Sequence, residues 1–237
     1  MAQGRIRVVG VIPARGGSKS IPRKNLKEVA GKPLIAHTII AAMKTKLVSR
    51  VIVSTDDEEI ARVSRDFGVD VPILRPRELA KDDSPTILSV QHMVRHLEEH
   101  GESYDVVVTL QPTSPLRSSE DIDGAIKMLG ETKADSVISV TEVKQNPWLM
   151  FKVEDGRLKP FFGEEKRIRR QDLPRVYALN GAIYATRRKP LMEGNSLYGS
   201  DPRAYIMPEE RSIDIDSLLD LKIVDFLIRS WERGVGL

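Results

Sequence analysis

The residues best suited to chemistry lie in a loop at positions 14–27, directly after an apolar run. Two adjacent glycines and five cationic side chains stand in or beside it: Gly16, Gly17, Arg15, Lys19, Arg23, Lys24 and Lys27. Glycine lets backbone amides approach an anion closely, and cations neutralise its charge. The loop therefore predicts a phosphate site, although a solvated basic loop after a core strand has the same composition.

This loop lacks two familiar phosphate-binding motifs. No Gly-x-x-x-x-Gly-Lys-Ser/Thr spacing is present, and the Gly-x-Gly-x-x-Gly spacing of dinucleotide-binding folds is also missing. These absences argue against a P-loop hydrolase and against an NAD enzyme. The chain contains no cysteine, which excludes a cysteine nucleophile and a thiolate metal site.

Two carboxylates near the end of the chain have the spacing of a metal site. In an extended backbone, Asp214 and Asp216 point to one side and Ile215 points to the other. Two oxygen ligands on one face suit Mg²⁺, which keeps water and phosphate oxygens as its remaining ligands. The alternative is that Asp216 only caps the final helix.

A third polar segment, residues 111–117 (QPTSPLR), follows another apolar run. Its two prolines stop the strand and stiffen the loop, so the amide of Gln111 is placed where it could read the edge of a nucleobase. The alternative is that Pro-Thr-Ser-Pro simply ends the strand.

The elements that must position these residues alternate between strand and helix. Apolar runs predict buried strands at residues 5–13, 50–55, 71–74 and 105–110. Amphipathic stretches predict helices at about residues 33–45, 57–67 and 84–99. This alternation predicts a parallel sheet with right-handed crossovers. Ligands bind at the carboxyl ends of strands in such sheets, which is where the glycine-rich loop lies.

The pattern changes between residues 141 and 175, where aromatic side chains stand among many charges without a helical period. We interpret this segment as a β-hairpin excursion whose aromatic residues form a subunit interface. Core strands and a closing helix at residues 217–229 follow. The chain is thus divided into a core, residues 1–140 and 176–237, and an excursion, residues 141–175.

The composition is that of an ordinary globular protein. Of 237 residues, 41% are hydrophobic and 30% are charged, and 37 cations against 34 anions give a net charge of +3. The basic residues cluster at strand ends without interleaved aromatics, which argues against a nucleic-acid partner. No apolar run reaches the length of a membrane span and no signal peptide is seen, so we expect no membrane partner and a cytoplasmic location.

Taken together, the motifs resemble those of the acylneuraminate cytidylyltransferases, the CMP-sialic acid synthetases. They cover nearly the whole chain in order: IPARGGSKSIPRKNL (12–26), VSTDDEEIA (53–61), LRPRELAKDD (74–83), LQPTSPLRSSEDI (110–122), NGAIY (180–184) and SIDID (212–216). The resemblance implies a Rossmann-like nucleotidyltransferase domain with a mostly parallel central sheet, helices on both faces and a projecting dimerisation excursion. It also implies a cytidylyltransferase that joins CTP to a nonulosonic (sialic-acid-like) sugar, an acidic nine-carbon sugar, and releases pyrophosphate with Mg²⁺.

The resemblance also gives roles to single residues. It implies that the nucleotide is bound by Arg15, Gly16, Gly17, Ser18, Lys19, Lys24, Asn25 and Arg75. It implies that the sugar side of the cleft is formed by Gln111, Asn180, Tyr184 and Arg170, the last reaching the active site of the partner in a homodimer or homotetramer. Metal binding is implied for Asp214 and Asp216, which would share the catalytic work with Arg15 and Lys19.

One departure from the family pattern lies in the first loop. The residue after the loop lysine is commonly glycine in this family and is Ser20 here, so a positive φ at that position would be strained. Two other functions stay open. One is a nucleotidyltransferase with other substrates, such as a guanylyltransferase acting on a sugar phosphate, and the other is a non-catalytic nucleotide-binding protein.

Overall fold

The computed structural model describes residues 6–162 and 169–234 of the chain. Its strands are β1 (Val8–Pro13), β2 (Glu28–Val29), β3 (Lys32–Pro33), β4 (Arg50–Ser54), β5 (Val106–Thr109), β6 (Ser136–Glu142), β7 (Phe151–Glu154), β8 (Arg157–Pro160), β9 (Tyr177–Arg187) and β10 (Pro202–Ile206). Its helices are α1 (Leu34–Met43), α2 (Glu58–Asp66), α3 (Thr86–Glu99), α4 (Ser119–Glu131), α5 (Arg188–Met192) and α6 (Leu218–Glu232). Within these ranges no helix is both long and apolar enough to cross a bilayer.

The central sheet has six strands in the order β10-β6-β9-β5-β1-β4. Strand β1 runs parallel to β4 and to β5, and β10 runs parallel to β6. Only β9 is antiparallel to its neighbours in this sheet. The predicted mostly parallel sheet is therefore confirmed, with β9 joining its two parallel groups.

Helices cover both faces of this sheet, as expected. Ile39 of α1, Ile60 of α2 and Ile122 of α4 pack into one buried cluster. Val90 and Met93 of α3 pack into another, which includes the alternate residues of β1. Because both faces are covered, the central strands have no need of polar alternation, and this explains their continuous apolar sequences.

The strand predicted at residues 71–74 does not form. Only Asp70 pairs with β4, through an isolated parallel bridge to Ile52. Pro72 follows and has no backbone N–H to donate, so the ladder cannot continue. Val71 is nevertheless buried, which explains the apolar run that suggested a strand.

The predicted hairpin is present in the excursion. Strands β7 and β8 pair with each other alone, in a separate two-stranded antiparallel sheet. Asp155 and Gly156 join them with φ angles of 50° and 75°, the left-handed geometry of a type I′ turn. Strand β6 continues to Glu142, two residues past the predicted boundary at residue 140. Residues 163–168 and the Arg170 side chain lie outside the described part.

Candidate active site

A cavity of about 320 Å³ opens where β1 and β5 end. Most of the predicted site residues line it: Arg15, Gly17, Ser18, Lys24, Asn25, Arg75, Gln111, Asp214 and Asp216. The basic loop, the segment after β5 and the Asp-x-Asp pair are far apart in sequence. The fold brings all three to one cleft at the carboxyl edge of the sheet, where ligands bind in open α/β folds.

Four predicted residues do not line this cavity: Gly16, Lys19, Asn180 and Tyr184. Gly16 lies close to the Asp57 side chain, and Lys19 lies at the surface. Asn180 and Tyr184 belong to β9 and are buried. The Arg170 side chain is outside the described residues, so its predicted reach toward a partner stays a prediction.

Two cations of the loop share one carboxylate. Nη1 of Arg15 lies 2.8 Å from Oδ1 of Asp82, and Nζ of Lys19 lies 3.1 Å from Oδ2 of the same residue. These contacts hold the pKa of Asp82 below its ordinary value, with the Lys19 hydrogen bond as the largest cause. Arg15 and Lys19 are thus arranged to hold one anion, which in this structure is the Asp82 carboxylate.

Lys24 and Asn25 hold the loop against the rest of the site. The almost buried Lys24 ammonium donates to the carbonyl of Ile215 at 2.6 Å and lies 3.5 Å from Oδ1 of Asp216. The amide of Asn25 donates to the carbonyl of Arg15 at 2.9 Å. Lys24 therefore ties the basic loop to the Asp-x-Asp segment, besides placing a positive charge in the cavity.

Ser20 is the position at which the loop differs from the family pattern. Ser20 does not adopt a positive φ, whereas Arg23 does, at 54°. The guanidinium of Arg23 turns away to Glu59 at 2.6 Å on α2. At Gly16 an added Cβ would lie 2.7 Å from Oδ2 of Asp57, so close packing requires glycine there. The serine at position 20 is thus accommodated without backbone strain.

Arg75 provides a buried cation in the lining of the cavity. Its Nη2 donates to the carbonyl of Ser54 and its Nη1 lies 3.5 Å from that of Leu79. Its buried Nε has no hydrogen-bond partner among the described residues. Burial lowers the pKa of Arg75 to about 10, with Asp56 opposing this effect. Arg75 remains cationic at neutral pH and is fixed in place.

The Asp-x-Asp segment alternates as the sequence predicts. Ile215 is fully buried, while Asp214 and Asp216 both line the cavity. The backbone amide of Ile215 donates to the carbonyl of Thr113 at 2.8 Å, which fixes the segment beside the loop after β5. The N-cap of α6 is Ser217, in a capping box with Asp220. The alternative of Asp216 as the helix cap is therefore wrong.

The two carboxylates differ in environment. The Asp216 side chain is 81% exposed. Oδ1 of Asp214 is buried and accepts no hydrogen bond from a described residue. Burial raises the pKa of Asp214, while Thr113 and Lys24 act in the opposite direction. A buried carboxylate oxygen without a donor suits a cation, and this pair leaves most coordination positions to other ligands.

Gln111 is held by two features that the sequence did not single out. Nη2 of the fully buried Arg117 donates to the backbone carbonyl of Gln111 at 2.5 Å, and its Nη1 donates to the backbone carbonyl of Ala182 at 2.5 Å. Burial lowers the pKa of Arg117 to about 9, with Asp214 the leading opposing charge. Gly181 has a φ of 69°, and a Cβ there would lie 2.8 Å from Oε1 of Gln111.

Asn180 and Tyr184 serve the interior of the fold in this structure. The Asn180 amide accepts from Ser139 at 2.6 Å and donates to Ser212 at 2.9 Å. Tyr184 packs edge-on against Tyr198, with ring centroids 6.1 Å apart. Burial raises the pKa of Tyr184 to about 12. A sugar-binding role for these two residues stays a prediction.

Among the residues in or beside this site that were not assigned roles from the sequence are Asp82, Arg117 and Gly181. Each lies inside a motif, in LRPRELAKDD, LQPTSPLR and NGAIY. Glycine directly after Asn180 was a readable signal for a positive φ or a close approach. The pairing of Asp82 with a loop more than sixty residues earlier had no local signal.

Comparison with known proteins agrees with this geometry. A family model described as cytidylyltransferase matches residues 9–201. The chain is 37% identical over 226 residues to the CMP-N,N'-diacetyllegionaminic acid synthase of Legionella pneumophila, covering 94% of this chain and 97% of that one. It is 34% identical over 239 residues to an N-acylneuraminate cytidylyltransferase of Streptococcus agalactiae, covering 97% of this chain and 57% of that longer one.

Among solved structures, that of a CMP:2-keto-3-deoxy-manno-octonic acid synthetase complexed with CTP superimposes with a TM-score of 0.74. The match covers 95% of this chain and 99% of the other, at 20% sequence identity. At that identity the likeness supports the fold, which is a Rossmann-like nucleotidyltransferase domain. The family match, the relatives and the motif order agree that this chain belongs to the cytidylyltransferase family, as a nucleotidyltransferase of the acylneuraminate type.

Proposed function

We propose that this protein is a CTP-dependent cytidylyltransferase that activates a nonulosonic acid, an acidic nine-carbon sugar. The observation that carries the proposal is one cavity lined by the basic loop, the Gln111 segment and the Asp-x-Asp pair. A nucleotide triphosphate and its sugar acceptor together need cations for the phosphates, a site for a metal and a polar side chain on the sugar side. This cavity offers residues of each kind within one cleft.

The triphosphate is assigned to the basic loop. Arg15, Gly17 and Ser18 line the cavity, so their side chains and backbone amides are available to phosphate oxygens. Lys24 adds a nearly buried ammonium between the loop and the Asp-x-Asp segment. Lys19 stands at the surface, where its ammonium pairs with Asp82, and supplies a further positive charge.

A divalent metal, Mg²⁺, is assigned to Asp214 and Asp216. The unpartnered Oδ1 of Asp214 and the exposed carboxylate of Asp216 fit a hard cation that shares its coordination with phosphate oxygens. When bound, the metal withdraws charge from the α-phosphate. Within the described residues no third carboxylate, histidine or cysteine joins this pair, which leaves room for such shared coordination.

The chemical step is an in-line attack of the sugar's anomeric hydroxyl on the α-phosphorus of CTP. A new oxygen–phosphorus bond forms, the bond to the oxygen that bridges the α- and β-phosphates breaks, pyrophosphate leaves with the bonding electrons, and the hydroxyl proton passes to solvent. Arg15 and Lys19 offset the charge that develops on the departing phosphates. Arg75, fixed by its bonds to Ser54 and Leu79, holds the nucleotide in register for the attack.

The sugar is assigned to the side of the cavity near Gln111. The Gln111 side chain lies beside Gly181 of β9. Asn180 and Tyr184 belong to the same strand, and we propose that they form the sugar side of the cavity together with Arg170 of a second copy. The relatives named above make different CMP-sugars, so the proposal is for the class of acidic sugar.

We propose that the hairpin excursion provides the subunit interface of a homodimer or homotetramer. Its exposed side chains include Trp148, Phe161 and Phe162, which contact one another in the single chain. An exposed aromatic cluster of this kind is typical of a surface that another subunit covers. A cytoplasmic location is proposed because CTP is an intracellular substrate.

The proposal is tested by measuring pyrophosphate release from the purified chain with Mg²⁺. N-acetylneuraminic, legionaminic and pseudaminic acids are each supplied with CTP, GTP or UTP. We expect release with CTP and at least one of these sugars, and little with GTP or UTP. No release above the sugar-free blank, or a preference for GTP, would contradict the proposal.

A further inference from the structure

The inference concerns Asp82 and rests on the proposed binding of phosphates by Arg15 and Lys19. Asp82 lies in the turn between the 3₁₀ segment Arg77–Ala80 and helix α3. It lines the same cavity as Arg15. Its carboxylate thus lies beside Arg15 and Lys19, where the phosphates are proposed to bind.

The contacts divide the carboxylate between the two cations. Oδ1 of Asp82 pairs with Nη1 of Arg15 at 2.8 Å, and Oδ2 pairs with Nζ of Lys19 at 3.1 Å. A phosphoryl group likewise presents two adjacent anionic oxygens, and it carries more charge than a carboxylate. The cations are therefore already arranged to accept two oxygens of one phosphate group.

The contact is also easy to exchange. Side-chain exposure is 41% for Asp82, 33% for Arg15 and 77% for Lys19. Ion pairs at this level of exposure are screened by water and contribute little to folding. A more highly charged anion can displace the carboxylate without unfolding the turn.

We propose that Asp82 is a competing counter-ion of the phosphate loop. It holds Arg15 and Lys19 in the absence of ligand, gives them up when phosphates bind, and takes them back as pyrophosphate leaves. This arrangement lowers the affinity for phosphates and favours release of pyrophosphate. The opposite role, a support that positions the cations for phosphate, predicts a change of opposite sign when the carboxylate is removed.

Asp83 offers a matched control for this test. It is exposed and adjacent, and it forms no ion pair with any residue in the described ranges. Asp83→Asn removes the same charge from the same turn as Asp82→Asn. Only Asp82→Asn also frees Arg15 and Lys19 from their ion pairs.

The experiment is calorimetric titration of inorganic pyrophosphate into the full chain at low salt. We expect Asp82→Asn to bind pyrophosphate about three- to tenfold more tightly than the wild type, on the scale of freeing two exposed cations. Asp83→Asn should stay within about twofold of the wild type. In turnover assays, Asp82→Asn should lower KM for CTP and slow release of pyrophosphate.

Equal or weaker binding by Asp82→Asn than by Asp83→Asn overturns the inference, and weaker binding assigns Asp82 a supporting role. In that case the wild type still binds pyrophosphate, and the proposed phosphate loop is unaffected. If the wild type binds neither pyrophosphate nor CTP, the proposed function itself fails. The two failures are thus told apart by the wild-type titration.

Discussion

Replacing Gly181 with alanine tests whether the wall of the cavity is built as described. Gly181 has a φ of 69°, and an added Cβ would lie 2.8 Å from Oε1 of Gln111. The change therefore has two separable effects. One is backbone strain in the left-handed region, and the other is contact with the end of a flexible side chain in the cavity.

The strain is worth about 1–2 kcal/mol, the usual cost of a left-handed backbone for a residue with a Cβ. The contact adds little to this cost, because the Gln111 side chain can rotate away. That rotation removes its amide from its place in the cavity. A displacement of about 1 Å near the reacting groups is enough to cost about 10- to 100-fold in turnover.

Gly101 provides the matched control. Its φ is 82°, in the same backbone region, and an added Cβ meets no atom within 4 Å. Gly101→Ala should lose about the same 1–2 kcal/mol of unfolding free energy as Gly181→Ala. It lies at the end of α3, outside the cavity lining, and should retain wild-type turnover.

The assay pairs urea unfolding with CTP-dependent pyrophosphate release for both variants. We expect equal losses of stability, with loss of turnover confined to Gly181→Ala. Wild-type turnover in Gly181→Ala would refute the placement of Gln111 at the reacting groups. Equal loss of turnover in both variants would show that general destabilisation, and not the position of Gln111, lowers activity.

Asp216→Asn should lower turnover by about 10²-fold or more with unchanged urea unfolding, while Ser217→Ala, which removes the actual helix cap, should cost about 1 kcal/mol in stability. Unfolding of Asp216→Asn at clearly lower urea would reverse this assignment. Burial raises the pKa of Asp214, so the proton is bound more tightly in the folded state, and the metal-free protein loses stability as pH rises through that raised pKa. At neutral pH without metal, Asp214→Asn should therefore unfold at a higher urea concentration than the wild type. Its turnover should nevertheless fall by about 10²-fold. Equal stability of the two proteins at pH 7 would count against the burial argument. Phe161→Glu should weaken subunit association, measured by sedimentation, by about 100-fold. Met43 is exposed and lies outside the excursion, so Met43→Glu should leave association unchanged. An intact assembly in both variants would rule out the aromatic cluster as the interface.

Much of the fold could be predicted because the core strands have continuous apolar sequences. The runs before the basic loop and before Gln111 are buried on both faces, so their apolar sequences are continuous. The same reasoning failed at residues 71–74, where a buried Val71 is followed by Pro72, which cannot extend a ladder. Burial and strand pairing are separate properties, and an apolar run reports only the first.

The cavity was also predictable in its main parts. Alternation at Asp214 and Asp216 follows from extended backbone geometry, and the structure confirms that both line one cleft. The helix cap was readable too, since Ser217 and Asp220 have the spacing of a capping box.

Long-range pairing was not predictable from the local pattern. Asp82 meets the basic loop only through the fold, and the burial of Asn180 depends on Ser139 and Ser212 of other segments. The pairing of β6 with β9 shifts register between Ile138 and Val140, and no spacing rule in the sequence reveals this irregularity.

The central claim is that the α-phosphorus of CTP is transferred to the sugar. The most direct measurement follows label from [α-³²P]CTP and, in parallel, from [γ-³²P]CTP, with Mg²⁺ and a nonulosonic acid. We expect the α-label to enter a sugar-containing product and the γ-label to leave as pyrophosphate. Transfer of the γ-label to the sugar, or release of the α-label as free CMP alone, would contradict it.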